Sequence, residues 1–172
     1  MSQPEKVNIL VLGTPGTGKS TLCEKIVEVA GMTHISVSDL AKSKELFDGY
    51  DDEHDCHIID EDMVLDDMEP TMVSGGVVVE YHSSDFFPER WFALVIVLRT
   101  DNTILFDRLQ GRGYTPGKIS ENVEAEIVQV VLDEARASYK AEIVHDVPSN
   151  TVEDMDATVD RVTAWLESGQ WA

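Results

Sequence analysis

The sequence predicts an α/β fold, in which a five-stranded, mostly parallel sheet is flanked by helices on both faces. Two observations carry this prediction. Short, continuous apolar runs are typical of strands buried on both faces, and they alternate along the chain with segments of helical periodicity. Strands that alternate with helices form βαβ units with parallel strands. The length of 172 residues suits one ordinary domain, and we predict a single domain over 1–172.

Each element follows from its own pattern. Apolar or β-branched runs predict five strands, at 7–12, 33–37, 77–79, 94–98 and 142–147. Helical periodicity predicts five helices, at about 19–29, 62–73, 103–111, 121–140 and 152–166. Ser38 and Asp39 offer N-cap oxygens for a further short helix through Leu46. Residues 48–62 are dense in acids and poor in core material, and we expect an exposed loop there.

The chain is strongly acidic. Its 33 acidic and 13 basic residues give a formal net charge of −20. Such a field repels phosphodiester backbones, so we expect no broad, direct binding to nucleic acid. A basic protein partner would be attracted instead. The alternative is that the charge serves solubility alone.

Cysteine usage and hydropathy indicate the compartment. Cys23 and Cys56 are too few for a disulfide scaffold and lack metal-ligand partners at zinc-finger spacing. The first residues, MSQPEK, do not have the layout of a signal peptide, and the longest apolar run, ALVIVL, is too short to span a membrane. We therefore expect a soluble protein of a reduced, intracellular compartment with no membrane contact.

A glycine-rich turn, GTPGTGKS, follows the first predicted strand at residues 13–20. It matches G-x-x-x-x-G-K-[ST], the phosphate-binding P-loop, and stands between a strand and a helix as that motif requires. Backbone N–H groups of such a loop and the N-terminus of the next helix bind phosphate oxygens. Lys19 is predicted to contact the β- and γ-phosphates, and Ser20 to ligate Mg²⁺. The candidate nucleotide-binding residues are Gly13, Gly16, Thr17, Gly18, Lys19, Ser20 and Thr21.

An acid and an imidazole stand where the valine strand ends, in the stretch VVVEYH. Proteins with a P-loop usually have a carboxylate at the end of a neighbouring strand, where it holds Mg²⁺ directly or through water. Glu80 fits that role. His82 could orient a water molecule or help to place the phosphates. The alternatives are a surface acid at a strand end and an ordinary edge histidine.

Two further segments narrow the class to small phosphotransferases. SDLAKSKEL follows the second strand, where nucleoside-monophosphate kinases carry the helix that grips the acceptor, and its candidate residues are Asp39 and Lys42. RLQGRGYTPGKI lies where those kinases carry a short lid, which we place at about 111–121. Arg108 and Arg112 in this segment could clamp the charge that develops during phosphoryl transfer. A solvated helix end is the alternative for both arginines.

The chain resembles the adenylate kinase isoenzyme 6 family, the coilin-interacting nuclear ATPases, from about 7 to 165. The resemblance is carried by several segments, which are GTPGTGKST, DGYDDEHDCHIIDED, VVVEYHSSDFFPERW, VLRTD, RLQGRGY and EIVHDVPSN. It implies transfer of the terminal phosphate of ATP to AMP and related monophosphates, with Mg²⁺, and hydrolysis of ATP. It also implies a role in late maturation of the small ribosomal subunit and its rRNA, through transient binding of a basic ribosomal protein, and a location in nucleus and cytoplasm.

The resemblance also assigns roles to residues. It implies that Arg112 contacts ATP, that His82 supports turnover, and that the acceptor is bound by about 36–59. The loop at 145–150, with Asn150, is implied to border the adenine. Two positions depart from the family, which usually has aspartate where this chain has Glu80 and arginine where it has Lys42. Lysine keeps the charge but loses the bidentate grip on phosphate, so monophosphate kinase activity is expected to be weak.

Two other functions remain open from the sequence. The chain could be an assembly factor whose nucleotide site switches the binding of a protein partner, with the acidic residues 51–62 steering a Lys/Arg-rich protein. It could also be a kinase for another small acceptor, because no motif reports the shape of the base pocket.

Overall fold

The computed structural model describes residues 6–54 and 56–172. Residues 1–5 and Asp55, which belong to the predicted domain and in part to the predicted acceptor region, lie outside the described residues. Seven strands are described, which are β1 (Ile9–Gly13), β2 (Thr33–Ser36), β3 (Phe47–Asp51), β4 (Cys56–Ile59), β5 (Val77–Tyr81), β6 (Leu94–Arg99) and β7 (Val144–Pro148). Five of them form the main sheet in the order β2-β5-β1-β6-β7, and every pairing in that sheet is parallel.

The helices cover both faces of this sheet. They are α1 (Lys19–Ala30), α2 (Val37–Lys44), α3 (Glu61–Ser74), α4 (Asn102–Gly111), α5 (Pro116–Ile127), α6 (Val130–Ser138) and α7 (Val152–Ser168). The prediction of a five-stranded parallel sheet with flanking helices is thus confirmed.

The central strand β1 explains the two layers of core. Successive side chains of a strand point to opposite faces, so Leu10 and Leu12 pack with α2, α3 and α6, whereas Ile9 and Val11 pack with α1 and α7. All four side chains have no exposed surface. A strand buried on both faces has no polar positions, which is why ILVL reads as a continuous apolar run. The P-loop therefore begins at Gly13, directly after a strand that is packed on both faces.

The acidic segment 48–62 is largely exposed, as predicted, but it is not a loop, and that part of the prediction is wrong. Strands β3 and β4 form an antiparallel hairpin there. The His57 ring stacks on Phe47 with 4.5 Å between ring centroids and meets Tyr50 edge-on at 5.2 Å. Asp51 closes the turn, because its Oδ1 accepts hydrogen bonds from the main-chain N–H groups of Glu53 and His54. Cross-strand ring contacts of this kind stabilise a hairpin whose composition does not favour strands.

Two helix boundaries also differ from the predictions. The N-cap of α2 is Ser36, whose side chain accepts a hydrogen bond from Asp39 N–H at 3.4 Å, and the helix ends at Lys44. Ser38 and Asp39 are therefore inside the helix and do not cap it. The longer helix predicted at 121–140 is two helices, because Gln129 adopts a left-handed conformation with φ of 63° between α5 and α6, which breaks a right-handed helix.

The segment predicted as a lid, 111–121, consists of the end of α4, a turn and the first turns of α5. Thr115 caps α5, since its side chain accepts a hydrogen bond from Lys118 N–H, and Pro116 occupies the first helical position. Proline at this position loses no helical hydrogen bond. Among the described residues, no helix is both long and apolar enough to cross a membrane.

Candidate nucleotide-binding site

The loop between β1 and α1 has the backbone shape that binds phosphate. Gly16 and Gly18 have φ angles of 92° and 97°, which only glycine adopts without strain. Gly18 is the N-cap of α1 and has no side chain to bond the first N–H groups of that helix. The unpaired N–H groups and the positive end of the helix dipole therefore face the concave side of the loop, which is an anion-binding arrangement.

Thr17 holds the loop in this shape. Its Oγ1 donates a hydrogen bond of 2.8 Å to the Thr14 carbonyl oxygen, and its backbone N–H donates to the same oxygen at 3.2 Å. A Cβ at Gly13 would collide with the Thr17 hydroxyl, so the glycine is needed for close packing. The structure thus places Thr17, predicted to bind the nucleotide, as a buried residue that closes the loop on itself.

Lys19 lies across the loop. Its ammonium donates hydrogen bonds to the carbonyl oxygens of Gly13 at 2.9 Å and of Thr14 at 3.3 Å. Burial and the nearby charge of Arg112 lower the pKa of Lys19 from 10.5 to about 8, against the opposing effect of Glu80. Because bound phosphates would add negative charge beside the ammonium, they would favour its protonated form.

Ser20 and Glu80 meet beside the loop. The Ser20 hydroxyl lies 3.0 Å from each carboxylate oxygen of Glu80. The strand pairing explains the meeting, because Glu80 lies opposite Val11 in the ladder between β5 and β1, so both strands end at the same edge. The sequence-based prediction that the valine strand brings an acid to the P-loop is therefore met by the geometry.

Glu80 is buried, with only 6% of its surface exposed. Burial alone would raise its pKa, but hydrogen bonds from His34 and Ser20 and the charges of His34 and Lys19 outweigh burial and lower the pKa of Glu80 below 4.5. The group is therefore ionised at neutral pH. A hydroxyl and a carboxylate are hard oxygen donors that suit Mg²⁺, which keeps several waters and takes its other ligands from phosphates. The pair fits such an ion, and the described residues contain no cluster of three or more His, Cys, Asp or Glu side chains that would form an all-protein cage.

His34 is a site residue that the sequence analysis missed. Its Nε2 donates to Glu80 Oε1 at 2.8 Å, and this hydrogen bond raises the pKa of His34 above 6.5 although partial burial opposes it. His34 lies on β2 opposite Val78, two residues before Glu80 on the same face of β5. Diagonal neighbours of this kind are within reach of long side chains. Only the strand register reveals the contact, so no motif could have shown it.

His82 follows Glu80 at the surface of the site. Its ring stacks on Tyr81 with 4.2 Å between centroids. Partial desolvation by the surrounding protein, together with the Lys19 charge, lowers the pKa of His82 below 6.5 although the side chain is exposed, so the imidazole is mostly neutral at pH 7. The loop that carries it is tied to α6, because Ser84 N–H donates to Glu134 Oε1 at 2.7 Å.

Arg108 forms hydrogen bonds with main-chain carbonyl oxygens in this structure. Its guanidinium donates to the carbonyl oxygens of Ser149 at 2.9 Å, Asn150 at 3.2 Å and Gly16 at 3.3 Å. The arginine thereby ties the P-loop to the loop before α7. The clamp on the transferred phosphoryl group stays a prediction, since the guanidinium of this structure contacts carbonyl oxygens.

A pocket of about 330 Å³ opens beside the P-loop, and its lining includes Gly18, Thr21, Arg112 and Asn150. These residues come from the P-loop, α1, the end of α4 and the loop before α7. With Gly16, which also lines the pocket, the structure brings together five of the predicted nucleotide-binding residues. The Asn150 side chain is held in place, because its Oδ1 accepts a hydrogen bond from Asp101 N–H at 2.8 Å. The predicted acceptor residues Asp39 and Lys42 lie exposed on α2, beside β2 and on the far side of Glu80 from this pocket.

Glu126 is a second residue that the sequence analysis missed. It is 3% exposed, and its carboxylate accepts hydrogen bonds from Thr14 Oγ1 at 2.9 Å, Arg99 Nε at 3.0 Å and Thr100 N–H at 2.9 Å. The acid thus joins the P-loop, the end of β6 and α5. It is the last acid before the α5–α6 break, and a helical pattern alone gives no sign that this glutamate is buried while Glu124 is exposed.

The parallel sheet, the P-loop and the carboxylate beside it define the class, which is a P-loop NTPase of the kinase type. Comparison with known proteins agrees with this assignment. A family model described as "AAA domain" matches residues 9–129. Shikimate kinase from Bacteroides thetaiotaomicron has a similar fold, with a TM-score of 0.59 and 15% identity over 94% of this chain and 98% of that one.

The relatives narrow the class to one family. The adenylate kinase isoenzyme 6 homolog of Dictyostelium discoideum is 52% identical over 163 residues, which cover 95% of this chain and 93% of the relative. The homolog of Drosophila melanogaster is 46% identical and covers 96% of each chain. The chain belongs to the adenylate kinase isoenzyme 6 family.

Proposed function

We propose that this protein transfers the terminal phosphoryl group of ATP to AMP, with broad acceptor specificity (ATP + AMP = 2 ADP), and that it also hydrolyses ATP. The observation that carries the proposal is the meeting of Ser20 and Glu80, 3.0 Å apart, at the open end of a P-loop beside a pocket. The names of the relatives, adenylate kinase isoenzyme 6 homologs, support a nucleotide acceptor.

Phosphoryl transfer needs positioning and charge neutralisation more than covalent chemistry. The N–H groups of the loop and Thr21 would hold the phosphates, and Lys19 would leave the carbonyl oxygens of Gly13 and Thr14 to contact the β- and γ-phosphates. Mg²⁺ held by Ser20 and Glu80 would neutralise phosphate charge. Arg112 would contact ATP from the pocket side, and the neutral His82 imidazole could orient the attacking group.

The choice between AMP and water depends on how well the acceptor is held. Lys42, on the exposed face of α2, offers a point charge where arginine would offer a bidentate grip on phosphate. A weakly held acceptor leaves the site open to water, which is then phosphorylated instead. We therefore expect hydrolysis to be a large part of the total ATP turnover.

This expectation gives a prediction about AMP. ADP production should be stimulated only weakly by AMP in the native chain, and Lys42→Arg should lower the KM for AMP about tenfold, since a charge-assisted hydrogen bond contributes about 1.5 kcal/mol. A coupled ADP assay with AMP, dAMP, CMP, GMP, UMP and no acceptor measures both quantities. Lys44→Arg is the matched control, because Lys44 lies on the same helix but pairs with Asp67. The KM of this variant for AMP should equal that of the native chain. Strong stimulation of the native chain by AMP would contradict the assignment to Lys42.

A second candidate function is that of an assembly factor whose nucleotide state sets its affinity for a basic protein of the small ribosomal subunit, in nucleus and cytoplasm. Three observations favour it, namely the net charge of −20, the exposed acids of the β3–β4 hairpin, and the family to which the chain belongs. Acidic surfaces steer basic partners and compete with RNA for them. A kinase for another small acceptor is the remaining alternative. It would be indicated if a small molecule other than a nucleoside monophosphate stimulated ATP turnover while no member of the acceptor panel above did so.

The proposed dependence of partner binding on nucleotide state, a nucleotide switch, has its own test. Binding of a basic small-subunit protein, measured by pull-down or titration, should differ between the ATP, ADP and nucleotide-free states and should weaken as salt is raised, because screening reduces attraction between exposed charges. Equal affinity in all three states would contradict the switch. It would leave the phosphotransferase proposal untouched.

A further inference from the structure

We infer that His34 is a positioning residue for phosphoryl transfer, which fixes the Glu80 carboxylate in the orientation that binds Mg²⁺ together with Ser20. This inference rests on the proposed function. It adds to it a residue on a different strand, outside the P-loop and outside the strand that carries the acid.

The first argument is the length of the glutamate side chain. Glutamate has one rotatable bond more than aspartate, and a fixed conformation costs it more side-chain entropy. Mg²⁺ tolerates little misplacement of its ligands. A glutamate in this role therefore needs a partner that holds its carboxyl end, and His34 Nε2 lies 2.8 Å from Oε1.

The second argument is the direction of the contacts. Ser20 approaches both carboxylate oxygens equally, at 3.0 Å each, and so does not select between them. His34 bonds one oxygen only and reaches it from β2, on the opposite side of β5 from β1. Held at Oε1, the carboxylate keeps the lone pairs of Oε2 for the metal or its water. Hydrogen bonds that orient a metal-binding carboxylate in this way usually contribute 10–100-fold to metal affinity or activity.

The third argument is that the His34 ring is not a core side chain. Its side chain is 25% exposed, whereas that of Glu80 is 7% exposed. A half-buried ring at the edge strand of the sheet adds little to the apolar core, so the loss of this ring should change stability less than it changes the site. Removal of its N–H, by contrast, would leave the buried Glu80 with Ser20 alone as hydrogen-bond donor among the described residues.

The test compares two replacements of His34. His34→Phe keeps a ring and removes the donor, and His34→Gln restores an N–H donor on a flexible side chain. For His34→Phe we expect the Mg²⁺ concentration that gives half of the maximal affinity for a non-hydrolysable ATP analogue to rise about tenfold. Calorimetric titration with this analogue measures the affinity without turnover. The kcat for ATP should fall by a similar factor while the KM for ATP changes little. His34→Gln should recover most of both losses.

Thr33→Val is the control on the same strand. Thr33 is the exposed residue before His34 on β2, its side chain lies outside the site, and its replacement by the isosteric valine should change neither Mg²⁺ dependence nor kcat. Thermal unfolding of each variant without nucleotide shows whether the fold is retained. If His34→Phe does not fold, His34→Gln is compared with the native chain instead. We then expect a loss of kcat of less than tenfold and a Mg²⁺ dependence that still differs from that of the native chain.

A double-mutant cycle with Glu80→Gln tests the mechanism. If His34 acts through Glu80, His34→Phe should have almost no further effect on Mg²⁺ dependence in the Glu80→Gln background. An unchanged effect there, or unchanged Mg²⁺ dependence in the single variant, overturns the inference. Failure of the native chain to bind ADP with Mg²⁺ at all would overturn the proposed function itself, and the two failures are therefore distinguishable.

Discussion

Replacement of Lys19 by alanine lowers the kcat for ATP consumption by roughly 10²–10³-fold, the effect expected when one preorganised charge is removed from a site of phosphoryl transfer. Lys19 Nζ lies 2.9 Å from the Gly13 carbonyl oxygen, inside the loop that would hold the phosphates, and no other lysine comes from the loop sequence. A coupled ADP assay at saturating ATP and Mg²⁺ measures the loss.

The control for this result is Lys140→Ala. Lys140 is exposed before β7, so its loss removes the same charge from the protein without touching the loop, and kcat should be unchanged. Because Lys19 also bonds the loop carbonyl oxygens, thermal unfolding without nucleotide should confirm that the variant is folded. ATP consumption by Lys19→Ala at the native rate would contradict both the P-loop assignment and the proposed function.

Replacement of Glu126 by alanine is expected to lower the free energy of unfolding by about 3–5 kcal/mol, the usual cost of removing one partner of a buried ion pair. Thr14 Oγ1, Arg99 Nε and Thr100 N–H would all lose their acceptor. Arg99 keeps 22% of its side chain exposed, so water can solvate it in part, which favours the lower end of the range. Typical domains have only about 5–15 kcal/mol in total, and urea unfolding measures the change.

Two further variants serve as comparisons for Glu126→Ala. Glu126→Gln keeps one acceptor oxygen but turns an amide NH₂ toward the donors, so an intermediate loss is expected. Glu124→Ala lies on the same helix and is exposed, and surface replacements of this kind usually change stability by less than about 0.5 kcal/mol. If Glu126→Ala unfolds at the same urea concentration as Glu124→Ala, the carboxylate does not connect the P-loop to α5 in the way described.

The parts of the fold that were predictable from sequence are those in which local pattern and burial agree. The valine run of β5 and the apolar run of β1 are buried on both faces, and their continuous hydrophobicity reports that burial directly. The P-loop is recognisable in the sequence because its glycines, lysine and serine all serve to bind the same phosphates and therefore occur together. The meeting of Ser20 with Glu80 then follows from the parallel pairing of two strands that end at one edge.

The parts that were not predictable depend on partners far away in the sequence. Nothing local distinguishes Gln129, a non-glycine residue in a left-handed conformation, from an ordinary helical residue. The β3–β4 hairpin depends on rings that meet across strands, among charged residues typical of loops. His34 and Glu126 have ordinary local surroundings, and only the tertiary structure shows that each holds, or is held by, a residue of the P-loop or its neighbour.

The place of β1 between β5 and β6 has a consequence for synthesis of the chain. Ile9 pairs with Val78 on one side and with Leu94 on the other, so β1 leaves the ribosome without either sheet partner until more than sixty further residues have emerged. At about 5–20 residues per second this delay lasts several seconds, during which an apolar strand with two unpaired edges is open to aggregation. Nascent chains cut short before β5 should therefore depend on chaperones and have no affinity for nucleotide, since neither the sheet nor the carboxylate beside the P-loop yet exists.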